Sequence, residues 1–133
     1  MTTYVDTSAL YAVLDADDRN HGAAREAWID LARRREPLLC SNYVLLETFA
    51  LTRHRLGTAA VRCLQEDVVP VLAVRWVDES VHEVGVHTLL TAGRARLSLV
   101  DCVSFAIMRQ LGIRSVFAFD PHFEQQGFQP VPA

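Results

Sequence analysis

The chain has 133 residues, half of them hydrophobic, with 13 arginines, no lysine and a formal charge of −3. That length suits one domain, residues 1–133, with a core of its own and no room for a second. No stretch suits a membrane span, since Leu38 to Leu56 is interrupted by Asn42, Glu47, Arg53 and Arg55; the start lacks a basic-then-apolar leader, and the expected location is the cytoplasm.

Cys40, Cys63 and Cys102 form no C-x-x-C pair, and their odd number and apolar surroundings mark them as small core residues rather than a disulfide framework or a zinc site. None of His21, His54, His82, His87 and His122 stands at ligand spacing to a cysteine. The negative charge argues at face value against a nucleic-acid binder. Four acids engaged as metal ligands would bring the remaining formal charge from −3 to +1. The all-arginine count suits phosphate contacts, or equally reflects a biased genome.

In chain order, Thr3–Val5 reads as a short strand ending at Asp6. Thr7-Ser8 leads into a helix over Ala9–Leu14, broken by the polar cluster Asp15–Asn20. His21–Arg35 has helical spacing, with Ala24, Trp28, Leu31 and Ala32 on one face. Leu38–Cys40 is a second strand, and Ser41 or Asn42 caps a helix that runs to about Leu56 and stops at Gly57. A helix over Thr58–Asp67 and a strand over Val71–Val77 follow. Asp78 caps Ser80–Ala92, Ser98 opens Leu99–Leu111, and Gly93 and Gly112 close these two helices. Val116–Phe119 is the last clear strand, with Phe128 marking a short edge strand. This alternation predicts an α/β fold, a three-layer α/β/α sandwich with a central, mostly parallel sheet. Ligands in such sheets bind beyond the carboxyl ends of the strands, where Asp6 and Asp120 both fall.

Each of four carboxylates has a structural explanation when taken alone. Asp6 reads as a helix cap, although Thr7 and Ser8 are able to cap and would leave it free. Glu47 lies on an almost wholly apolar helix with no basic neighbour at three or four residues' distance, so it is either at the surface or buried against a partner. Asp101 fits a loose capping box with Ser98, and Asp120-Pro121 fits a turn. Together, Asp6, Glu47, Asp101 and Asp120 are able to reach one sheet edge, where four carboxylates need cations. Oxygen donors of this kind suit Mg²⁺ or Mn²⁺, and the chemistry indicated is metal-assisted phosphodiester hydrolysis.

The segments YVDTSAL, SNYVLLETF, RLSLVDCVSFAI and VFAFDPHF resemble, in order and spacing, the acidic motifs of PIN-domain ribonucleases, in particular VapC-type toxins of toxin–antitoxin pairs. The resemblance runs from about Thr3 to Phe128. It implies Asp6, Glu47, Asp101 and Asp120 as catalytic residues and metal ligands, with Thr7 or Ser8 as the small hydroxyl residue after the first aspartate. It further implies Mg²⁺, with Mn²⁺ as a substitute, an RNA substrate, a homodimer and a cognate antitoxin. His122 departs from the pattern, because some relatives carry another acid there.

Arg33, Arg34, Arg35, Arg53, Arg55, Arg94 and Arg96 read as solvated charges or phosphate contacts. Trp28, Tyr43, Phe49 and Trp76 read as core or interface aromatics, and the helices around Trp28 and Tyr43–Leu56 as walls of an antitoxin groove. Two other functions compete. A Mg²⁺-dependent phosphoacceptor domain would need an acidic pair at the first strand and a late lysine, and the chain has neither. A noncatalytic PIN-like binding module would need no intact acids, yet all four are present.

Overall fold

Every side chain of β1 (Thr3–Val5) is buried, as expected for a strand covered on both faces. The computed structural model describes residues 1–93 and 96–133, so Arg94 lies outside the described residues. β2 (Leu38–Ser41) and β4 (Ser115–Phe117) flank β1, while β3 (Ala73–Arg75) and β5 (Gln129–Val131) form the edges, giving the order β3-β2-β1-β4-β5. Every pairing is parallel, with Thr3 opposite both Leu38 and Ser115. The sequence reading allowed a mostly parallel sheet; the five strands are all parallel.

Helices α1 (Thr7–Leu14), α2 (His21–Arg33), α3 (Asn42–Leu56), α4 (Thr58–Cys63), α5 (Glu79–Thr91), α6 (Leu99–Leu111) and α7 (His122–Gln125) flank the sheet in a three-layer α/β/α arrangement. Their starts are set by short polar caps. Asp6, Ser41, Asp78 and Ser98 accept backbone N–H groups of Ser8, Val44, Val81 and Asp101. Gly112 ends α6 in the left-handed region at φ 67°, where a side chain would be strained.

The core joins Tyr4 and Val5 of β1 to Leu10, Leu31, Val44, Phe105, Ile107, Phe117 and Phe123. Phe105 meets Phe123 edge to face at 5.1 Å, which locks α7 against α6. α5 and α6 pack closely at Gly85, where an added Cβ would stand 2.5 Å from a Val103 methyl.

Several boundaries differ from the sequence reading. The helix expected over Thr58–Asp67 stops at Cys63 and widens into a π turn over Leu64–Val68, followed by a 3₁₀ turn over Val69–Val71. Pro70 has no N–H to extend an α-helical ladder, and the wider turn buries both Leu64 and Val68. The edge strand near Phe128 lies one residue later, with Phe128 buried before it; Pro130 is tolerated there because an edge strand has an unpaired side. α7 was not anticipated, and α1 starts at Thr7 rather than Ala9. Cys63 is exposed, not core, unlike Cys40 and Cys102. Trp76 is exposed as well, so it is no core aromatic.

Candidate active site

The chain builds β1, β2 and β3 outward in one direction, then returns through α6 to place β4 on the other side of β1. The reversal of strand order opens a crevice at the carboxyl ends of β1 and β4, the place where open α/β sheets bind ligands. Asp6 directly follows β1, and Asp120 lies three residues beyond β4 rather than at its last residue.

Asp6 is the N-cap of α1, as its position between strand and helix suggested, and neither Thr7 nor Ser8 takes that role from it. Its Oδ2 accepts the Ser8 N–H at 3.1 Å and the Ser8 hydroxyl at 2.6 Å. The same Ser8 oxygen accepts the Phe119 N–H at 3.0 Å, so one hydroxyl ties the ends of β1 and β4 together. Asp6 is 3% exposed. Burial pushes its carboxyl up to about 7 against the Ser8 hydrogen bonds, and the charges of Asp101 and Glu47 push the same way.

Asp101 stands in the first turn of α6 and is 8% exposed. The capping box is complete: the Ser98 hydroxyl accepts the Asp101 N–H at 3.0 Å, and Asp101 Oδ2 accepts the Ser98 N–H at 3.1 Å. Burial raises the Asp101 carboxyl above the usual range, with the Ser98 N–H opposing and the Asp120 charge adding to the rise. Glu47, on the second turn of α3, is half-buried, and its carboxyl is raised by burial and by Asp101 and Asp120, with the Thr7 hydroxyl opposing. Beneath it, the Thr7 hydroxyl donates to the Val44 carbonyl at 3.2 Å and Thr48 Oγ1 lies 3.0 Å from Thr7 Oγ1, which joins α1 to α3.

Asp120 is held by its own turn, its Oδ1 accepting the His122 N–H at 2.9 Å. The imidazole of His122 turns back over that carboxylate. Its Nδ1 lies 3.0 Å from Asp120 Oδ1 and 3.6 Å from Asp101 Oδ2, and donor atoms of the three residues all fall within 4.8 Å of one another. Nδ1 is buried without a hydrogen-bond partner. This is the one convergence of metal-type donors among the described residues. Asp6 and Glu47 stand outside that tight group, yet each feels the charge of Asp101.

With no ion bound, protons held by the raised carboxyls relieve the repulsion among the acids. The donor set of carboxylate oxygens and one unpartnered imidazole nitrogen fits a divalent cation. Beside Glu47, an open apolar groove is lined by Tyr43, Leu46, Ala50, Leu99 and Val100. Trp28 lines a separate depression with Leu31, Leu38 and Val71, so it is not a wall of that groove. Tyr43 hydrogen-bonds His82, which fixes the groove's α3 wall to α5.

Residues 3–129 match the PIN domain family. The chain is 36% identical over 129 residues to the 23S rRNA-specific endonuclease VapC20 of two Mycobacterium tuberculosis strains, an alignment covering 96% of each chain. The crystal structure of Mycobacterium tuberculosis VapC20, described as a Sarcin-Ricin loop cleaving toxin, superposes with a TM-score of 0.86 and 33% identity, covering 96% of this chain and 97% of that one. Fold, sequence and the arrangement of acids at the strand-order reversal agree, and the chain belongs to the PIN domain family.

Proposed function

We propose that this protein is a divalent-metal-dependent endoribonuclease, the toxin of a toxin–antitoxin pair. The observation that carries this reading is the convergence of Asp101, Asp120 and His122, with Asp6 and Glu47 electrostatically coupled to them, in a chain that matches a 23S rRNA-specific endonuclease over 96% of both lengths. Asp6, Glu47, Asp101 and Asp120 are the catalytic acids and hold an ion of the Mg²⁺ or Mn²⁺ kind. Such an ion, when bound, supplies positive charge to the scissile phosphate and makes a water a better nucleophile.

The chain's own groups prepare that chemistry. Ser8 holds Oδ2 of Asp6 and Ser98 holds Oδ2 of Asp101, the oxygen that faces His122, so both carboxylates are oriented by a neighbour in their own helix start. With no ion bound, burial and the neighbouring acids hold the Asp6 carboxyl near 7, so Asp6 gives up that proton when a cation arrives to stabilise its carboxylate. The relatives' printed substrate makes a stem-loop of the large ribosomal RNA the first candidate substrate. The apolar groove beside Glu47 is where an antitoxin segment would lie across the site, and the likeness to VapC-type toxins is what supports a homodimer acting in the cytoplasm.

The test is cleavage of a sarcin–ricin stem-loop oligonucleotide and of an unstructured control RNA by antitoxin-free protein, with Mg²⁺, Mn²⁺ or EDTA. Metal-dependent cleavage by the wild type, absent in folded Asp6→Asn and Asp101→Asn proteins, is the expected result. A folded wild type that cuts neither RNA with either metal would leave a noncatalytic PIN-like module as the answer.

A further inference from the structure

Building on the metal reading above, we infer that His122 is a direct metal ligand through Nδ1, and that it makes the site prefer a first-row transition ion such as Mn²⁺ over Mg²⁺. Nδ1 is the nitrogen nearest both Asp120 Oδ1, at 3.0 Å, and Asp101 Oδ2, at 3.6 Å. A hydrogen bond to Asp120 is the obvious alternative use of that nitrogen. The geometry does not make one: Nδ1 stands 3.0 Å from Asp120 Oδ1, at ion-pair distance, yet is buried without a hydrogen bond.

A buried nitrogen left unpaired beside two carboxylates is costly in the absence of a third party. A cation among the three donors satisfies all of them at once, because neutral imidazole offers its Nδ1 lone pair while the carboxylates offer theirs. The ring's position is fixed by the chain on both sides. Asp120 sets the turn that starts α7, and Phe123, fully buried against Phe105, anchors the residue after the histidine. His122 is thus held over the carboxylates before any ion arrives.

The preference follows from donor type. Mg²⁺ takes oxygen almost exclusively, whereas imidazole nitrogen suits first-row transition ions, so one nitrogen in the donor set tilts the balance away from Mg²⁺. His122 is therefore placed to determine which ion the site takes.

The experiment is pulsed electron paramagnetic resonance of metal-stripped protein loaded with Mn²⁺, prepared with natural-abundance or ¹⁵N-labelled histidine, alongside calorimetric titration with Mn²⁺ and Mg²⁺. Expected are a directly bound nitrogen coupling that changes isotope pattern on labelling and disappears in His122→Ala, and a fall in Mn²⁺ affinity of about tenfold or more with Mg²⁺ affinity changed far less. His122→Asp, which restores an all-oxygen set, should bind Mg²⁺ at least as well as the wild type and lose the preference for Mn²⁺. Mn²⁺ bound without any histidine coupling would overturn the inference and leave the metal reading of the acids standing. A wild type that binds neither ion would overturn both. A wild-type spectrum without histidine coupling rules the inference out whatever the variants do, and should His122→Ala fail to fold, His122→Asp supplies the assignment.

Discussion

At Asp6, the tension between burial and charge gives a measurable pH dependence. Unfolded, this carboxyl titrates near 3.8; folded, near 7, so between those values the folded chain holds a proton that the unfolded chain has released. The associated stability is complete below about pH 4 and is lost as pH rises through 7, a contribution on the order of 4 kcal/mol. Asp101 and Glu47, also raised, add the same sign. Thermal melts in EDTA should therefore fall in midpoint from pH 5 to pH 8, and Asp6→Asn should flatten the trend while abolishing cleavage. Ser8 offers a second measurement. Its replacement by Ala removes a donor to Asp6 and strands the Phe119 N–H, a loss of about 1–3 kcal/mol by urea denaturation. Asp6, Asp101 and Asp120 stood out in the sequence at a strand end, a helix start and a turn, and Glu47 as a lone carboxylate on an apolar helical stretch. Ser8's double bond was not, because its partner at Phe119 is 111 residues away and only the sheet brings the two together. His122 was visible as a departure, but its direction over Asp120 depends on a four-residue helix too short to leave a periodic signal.

Among the elements, α6 carries both a structural and a chemical duty at its first turn. Asp101→Asn keeps an oxygen to accept the Ser98 N–H, so α6 should lose no more than about 1 kcal/mol while cleavage falls by about 100-fold or more. Ser98→Ala should do the reverse, costing about 1 kcal/mol in a chemical melt with the carboxylate still present. The α5–α6 contact depends on Gly85. Gly85→Ala should destabilise the fold by about 1–3 kcal/mol, because the new methyl meets Val103, and Val103→Ala in the same chain should recover part of that loss. Helix starts were readable because short polar caps act locally, through residues two or three positions on. The π turn after α4 was not, since a buried Leu64 and Val68 fit an ordinary helix face equally well. β5 escaped by one residue for a related reason: Phe128 looks like a strand residue but is drawn into the aromatic cluster with Phe105 and Phe123.

Across the molecule, stability should be graded from the sheet centre outward. Backbone amides of Tyr4, Val5 and Phe117, in strands flanked on both sides, should exchange with solvent only through global unfolding. Those of β3 and α7 should exchange through smaller openings, a pattern that native-state hydrogen exchange resolves residue by residue. Alternation of strands and helices made the layered architecture legible, but not the strand order, which rests on where β4 inserts. That insertion has a further consequence for synthesis. Asp6 is among the first residues made, yet Asp120 and His122 are made more than a hundred residues later, just after the strand that completes the crevice. A nascent chain halted anywhere before Asp120 holds one wall of the crevice without the other. A prematurely terminated product that lacks Asp120 and His122 therefore carries an incomplete donor set, and translation has to pass nearly the whole chain before a complete one exists.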